Sequence, residues 1–270
     1  MRITRCGRVI YPTKTVEWTE VVEWCRKLAR SVEDSGWRPD VIIAIGRGGL
    51  VVSRILGDLL QVDRVLPLLV KWHELNRREG ETYLAELIRA YARAHESGCS
   101  PDTEITEYVK TSLRVRIDFE QNADLSGMRA LLVEEISATG VHLGIAKEMV
   151  KNRWRADEVR TAALVWKAPS VMGPDVVRVD YYVVKPAKFV WFQFPWSRLG
   201  DYVQFLRVML SHESHTGGKR TWPEEEVLRE FKRWYGEKVD LTYFAEALRV
   251  LEERGEVKLE RPSFSVKVQG

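Results

Sequence analysis

"LLVEEISATGVHLG", residues 131–144, carries the reading of the chain. Apolar residues 131–133 run as a strand into two adjacent acids, Glu134 and Glu135; a Ser-Ala-Thr-Gly turn follows, and a helix begins near Val141. Neighbouring strand residues point to opposite faces, and an unpaired buried charge is costly. Both acids are therefore expected at the carboxyl end of the strand, near water or facing hydroxyls and a cation. The turn exposes free backbone amides at the positive end of the helix dipole, a cup suited to phosphate. Carboxylates beside such a cup suggest a sugar phosphate, with Mg²⁺ as the accompanying cation. On these residues alone the plainer reading, a capped helix after an acidic strand end, stays open.

Working outward, "DVIIAIGRGGL", residues 40–50, is a second buried strand entering a turn, here with Arg47, Gly48 and Gly49. Two glycines let the backbone bend and approach an anion, and a guanidinium offers a phosphate two donors. A simple βα turn is the alternative. Helical spacing precedes this strand in "TVEWTEVVEWCRKLARSVEDSG" and follows it in "VVSRILGDLLQV". Further strand candidates are "RVLPLLVKW", "LRVRIDF", "VRTAALVWKA" and "KFVWFQF", with "VRVDYYVVK" between the last two. The alternation predicts an α/β fold, a mostly parallel twisted sheet flanked by helices, with ligands at the carboxyl ends of the strands. Residues 73–112 are highly charged and read as a helical insertion or lid.

With 42 Lys+Arg against 39 Asp+Glu the chain has no global field to draw it onto nucleic acid or a membrane. Three cysteines, Cys6, Cys25 and Cys99, lack CxxC spacing, so neither a disulfide framework nor a zinc site is expected. No apolar run approaches the roughly 18 residues of a membrane span. A cytoplasmic protein is the expectation.

After the polar stretch "SHESHTGGKR", the residues from 223 on read as two helices and a terminal ribbon, "EVKLERPSFSVKV". That pattern resembles a winged-helix module. The expected division is residues 1–212 and a small α+β domain at 213–270. Residues 211–270 hold 11 Lys+Arg and 12 Asp+Glu, so DNA is an unlikely partner, since phosphate contacts need local positive charge.

The two loops together resemble the type I phosphoribosyltransferases, closest to archaeal purine enzymes of the hypoxanthine, guanine and xanthine type. The resemblance runs from about Trp18 to Leu210. It implies that Glu134 and Glu135 are the catalytic pair on the ribose hydroxyls of 5-phosphoribosyl diphosphate, with only indirect contact to Mg²⁺ through ribose or water. Ser137, Ala138, Thr139, Gly140, Val141 and His142 would cradle the 5′-phosphate, and Arg47, Gly48 and Gly49 the pyrophosphate. Lys167 would read the purine, Phe189 would stack on it and Val190 would offer backbone atoms. The implied activity is transfer of the phosphoribosyl group to a purine base by a homodimer. Three departures accompany it. Ala138 stands where many 6-oxopurine enzymes carry the acid proposed to accept the base's proton, His142 replaces a hydroxyl of the cup, and both paired acids are glutamate. A second reading follows from them: a catalytically weak sensor of nucleotide or diphosphate that acts through its C-terminal domain.

Overall fold

The computed structural model describes residues 11–74, 87, 88, 90, 113–119, 122–138, 140–167, 177–187, 190–218, 221–236, 238–260 and 265–268. In chain order these form β1 (Thr13–Thr15), α1 (Trp18–Asp34), β2 (Val41–Gly46), α2 (Gly48–Leu60), β3 (Val65–Glu74), β4 (Leu113–Phe119) and β5 (Arg129–Ser137). Then come α3 (Val141–Asn152), β6 (Glu158–Trp166), β7 (Tyr181–Val184), β8 (Trp191–Gln193) and α4 (Arg198–Gly217). The chain closes with β9 (Thr221–Pro223), α5 (Glu224–Tyr235), α6 (Leu241–Glu253), β10 (Val257–Glu260) and β11 (Ser265–Val268). They fall into two compact units, one of residues 17–77 and 102–189, the other of 1–16, 78–101 and 190–270.

The first unit is built on a six-stranded sheet in the order β4-β3-β2-β5-β6-β7, in which only the β3–β4 pair is antiparallel. Residues 41–45 and 130–134 are buried, as strands covered on both faces require. α1 turns Val21, Trp24, Cys25, Leu28, Ala29 and Val32 inward at three-to-four spacing. On one side of the sheet Leu143, Ala146, Met149 and Val150 of α3 pack with Ile43, Leu132 and Ala163. From β2 the chain moves one way to β3, and later the other way from β5 to β6. The β2–β5 boundary is thus the switch point, where an open α/β sheet leaves a crevice at the strands' carboxyl ends.

In the second unit β1 and β8 form a parallel pair, and β10-β11-β9 an antiparallel sheet accompanied by α4, α5 and α6. Its core is aromatic: the rings of Phe205 and Tyr235 stack with centroids 4.2 Å apart, and Phe231 meets Tyr235 and Phe244. The buried Arg198 donates to the Val16 carbonyl at 2.7 Å and faces Asp240 at 3.6 Å. "KFVWFQF" does supply a strand, but β8 pairs with β1 and not with the main sheet. The compact units divide at residues 189/190, whereas the composition pointed to 212/213; α4 packs on α6 within the later unit. Most of the segment 73–112, read as a helical insertion or lid, lies outside the described residues. Among the described residues no helix is long and apolar enough to cross a membrane.

Candidate active site

β2 and β5 lie side by side in parallel register, Val41 opposite Ala130 through Ala44 opposite Val133, so both loops emerge at the same end of the sheet. There the two stretches singled out in the sequence meet. A Cβ on Gly48 would lie 1.9 Å from Glu135 Cδ and 2.0 Å from each carboxylate oxygen, so the Glu135 carboxyl group rests directly on the glycine backbone. A Cβ on Gly49 would lie 2.4 Å from the Val133 carbonyl oxygen. The start of α2 is thus pressed flush onto β5, an approach only glycine permits. Arg47 precedes α2, follows a cis Gly46–Arg47 peptide, and its side chain is exposed.

On β5 the pleat separates the acids. Glu135 is half-buried beside Gly48, while Glu134 is only 8% exposed and turns to α3, where His142 Nδ1 lies 3.0 Å from its Oε1. Glu134 departs from the expectation of standing near water or facing hydroxyls and a cation: the imidazole of His142, the second residue of the helix, stands there instead. Gly140 precedes α3 at φ +76°, a left-handed conformation that suits glycine. Lys167 N donates to Ser137 O at 2.9 Å, tying the end of β6 to the start of the loop. Ser137 Oγ is buried and has no hydrogen-bond partner among the described residues. Ala138 is exposed and Val141 half-buried; Thr139 lies outside the described residues.

The remaining assigned positions belong to different compact units. Lys167 follows β6 in the first unit and Val190 belongs to the second, while Phe189 lies outside the described residues. The sequence reading passed over Trp166, whose indole Nε1 is buried without a hydrogen-bond partner among the described residues at the end of β6, in register with Ser137. Lys185 Nζ stands 4.9 Å from its ring centroid, Tyr182 packs against it at 4.9 Å, and the Arg178 guanidinium is 5.9 Å away. A Trp-Lys dipeptide at a strand end carries no signal that separates this cluster from core packing. Cys25 is no nucleophile, since burial pushes its thiol up to about 12. Among the described residues no group of three or more His, Cys, Asp or Glu side chains could hold a metal.

The arrangement can hold a phosphate at the amides before α3, hydroxyl groups at Glu135, and a second anionic group at the Arg47–Gly49 loop. Similar solved structures include a purine phosphoribosyltransferase from Pyrococcus horikoshii, 24% identical, covering 68% of this chain and 93% of that one, with a TM-score of 0.46. A hypothetical protein from Neisseria gonorrhoeae with bound ppGpp is 18% identical, with 69% and 89% covered and a TM-score of 0.46. A xanthine-guanine-hypoxanthine phosphoribosyltransferase from Helicobacter pylori is 13% identical, with 67% and 92% covered and a TM-score of 0.44. No curated protein matches the chain. The family model described as "Phosphoribosyl transferase domain" matches residues 16–197, a span that contains β2, β5 and both loops. The chain belongs to the phosphoribosyltransferase family.

Proposed function

We propose that this phosphoribosyltransferase moves the 5-phosphoribosyl group of 5-phosphoribosyl diphosphate to a purine base and releases pyrophosphate. One observation carries the reading: the Glu135 carboxylate lies on Gly48, so an acid suited to ribose hydroxyls adjoins the loop suited to the leaving group. The loop 137–142 takes the 5′-phosphate on its backbone amides, supported by the helix start at Gly140 and the free Ser137 Oγ. Cleavage of the C1′–O bond builds positive charge on the ribose and negative charge on the departing pyrophosphate. The exposed Arg47 guanidinium and the amides around Gly48 and Gly49 are suited to the latter. Holding phosphate and pyrophosphate at fixed points orients the ribose for attack by a purine nitrogen.

Among the described residues no cluster of ligating side chains stands at the site, which fits Mg²⁺ that arrives with the diphosphate and keeps most of its waters, with Glu135 reaching it only through ribose or water. When bound, that ion would neutralise charge on the leaving group. Lys167, held by its amide to Ser137, is the described side chain suited to a purine carbonyl. Ala138 has no group to accept the base's proton.

The order β9, α5, α6, β10, β11, with β9 paired to β11, supports a winged-helix-like reading of residues 213–270. Their charge balance favours packing or oligomerisation over DNA. Homodimerisation and a cytoplasmic location belong to the same proposal.

Incubation with the diphosphate, Mg²⁺ and each common purine base in turn, measuring nucleotide formed, tests the reading. Turnover with at least one base, abolished by Glu135→Gln, is the expected result. Tight binding of the diphosphate without product from any base would overturn it in favour of a sensor acting through its C-terminal domain.

A further inference from the structure

We propose that the two adjacent acids have different tasks: Glu135 meets the ligand beside Gly48, whereas Glu134 is a positioning residue that holds His142 and, through it, the start of α3. The proposal deepens the phosphoribosyl reading of this site and rests on it. In a strand the side chains of neighbours diverge, and here each acid finds a different partner surface. Glu135 covers the glycine loop. Glu134 stays in the β5–β6 ladder opposite Ala163 and points to α3. Its side chain is 11% exposed and that of His142 17%, so the 3.0 Å contact is shielded from water. A carboxylate this deeply buried needs a hydrogen bond to offset its lost hydration, and the imidazole supplies it. A carboxylate only accepts, so Nδ1 carries the hydrogen.

The contact also does something the helix lacks. Helices are ordinarily started by a side-chain acceptor on the residue before the first turn. Gly140 occupies that place before α3, and no side-chain cap is present. The Glu134–His142 link instead ties the second residue of the helix to the strand that carries Glu135. With Lys167 N bonded to Ser137 O on the other side and Gly144 N to Gly140 O within the helix, the loop between Ser137 and Val141 is held at both ends. The amides that face a phosphate are thereby fixed relative to the acid that faces the ribose. His142 thus replaces a cup hydroxyl with a strap, and Glu134 acts on the ligand only through it.

A double-substitution cycle on the full chain tests this. Glu134→Ala, His142→Ala and the pair are compared in calorimetric binding of 5-phosphoribosyl diphosphate and in chemical denaturation; Glu135→Ala with His142→Ala is the control pair. Each single change at 134 or 142 is expected to weaken binding by about tenfold, and the pair by no more than either alone, because both cut one link. Glu135→Ala and His142→Ala are expected to multiply. His142→Asn, which keeps a donor near the place of Nδ1, is expected to restore most of the affinity, and His142→Leu none. Denaturation needs no ligand. Coupling there between 134 and 142, with none between 135 and 142, supports the strap even if the unsubstituted chain binds no diphosphate, a result that counts against the proposed function alone. Independent effects at 134 and 142 in denaturation, or His142→Leu equal to His142→Asn in binding, overturn it.

Discussion

At Gly49 one added methyl group would stand 2.4 Å from a backbone carbonyl, that of Val133, in the middle of the sheet. The strand cannot yield without disturbing its pairing with β2 and β6, so Gly49→Ala is expected to lower stability by about 1–3 kcal/mol in chemical denaturation. Gly48→Ala differs in kind. Its Cβ meets the flexible end of Glu135, which can swing aside, so the fold should lose little, whereas binding of 5-phosphoribosyl diphosphate should fall because the acid has left its seat. Equal loss of stability in the two variants would contradict this account. Ser137 gives a third case. Its buried, unpartnered hydroxyl carries a desolvation cost of about 1–3 kcal/mol in the ligand-free protein. Ser137→Ala should therefore leave the melting temperature unchanged or raise it while weakening binding of the diphosphate, and a variant that melts lower would argue that Oγ is satisfied within the fold.

Among the elements, α6 is started by Asp240, whose Oδ1 accepts from Thr242 N at 3.0 Å and Tyr243 N at 3.3 Å. Asp240→Ala is expected to cost about 1 kcal/mol, and more if the ion pair with buried Arg198 adds to it, read by denaturation. The elements α1, β2, α2, β5, α3 and β6 were legible in the sequence, each long enough to display its period. β1 and β9 were not, because three residues show no alternation. β8 could be read as a strand from its aromatic run, but its partner β1 is far away in sequence, and pairing across such a gap leaves no local mark. The site divides in the same way. Glu134, Glu135, Gly48 and Gly49 were legible because their spacing serves a loop at a strand end. The Glu134–His142 contact was not, because eight residues and a turn separate them and only the direction in which α3 leaves the strand brings them together. The glycines were read as making room for an anion; the structure adds a second reason, the close seat of α2 on β5.

For the molecule as a whole, acid and neutral pH act through different carboxylates. Asp40 is held below the usual carboxylate range, first by its side-chain hydrogen bond to Arg129, and Glu158 by its bond to Arg160 and then by the Trp37 indole. Such groups contribute stability above their unfolded pKa near 4 and lose it as pH falls through the folded value. Both side chains are partly open to solvent, so water and salt keep the contribution small. Asp201, in the first turn of α4, is opposite in sign. Burial pushes it up to about 7, against hydrogen bonds from Trp191 and Ser197 and the charge of Arg198, which favour the ionised form. With the folded pKa above the unfolded one, the folded state holds the proton more tightly. Asp201 therefore favours folding fully below about pH 4, and that contribution is lost as pH rises from there to about 7. Denaturation of the full chain across this range, beside Asp201→Asn, isolates the effect, since the amide keeps the shape and removes the titration. The substituted protein should gain on the unsubstituted one steadily between pH 4 and 7 and hold a constant lead above 7. A constant difference at every pH would mean that Asp201 is ionised in the folded protein throughout, with Trp191, Ser197 and Arg198 together outweighing its burial.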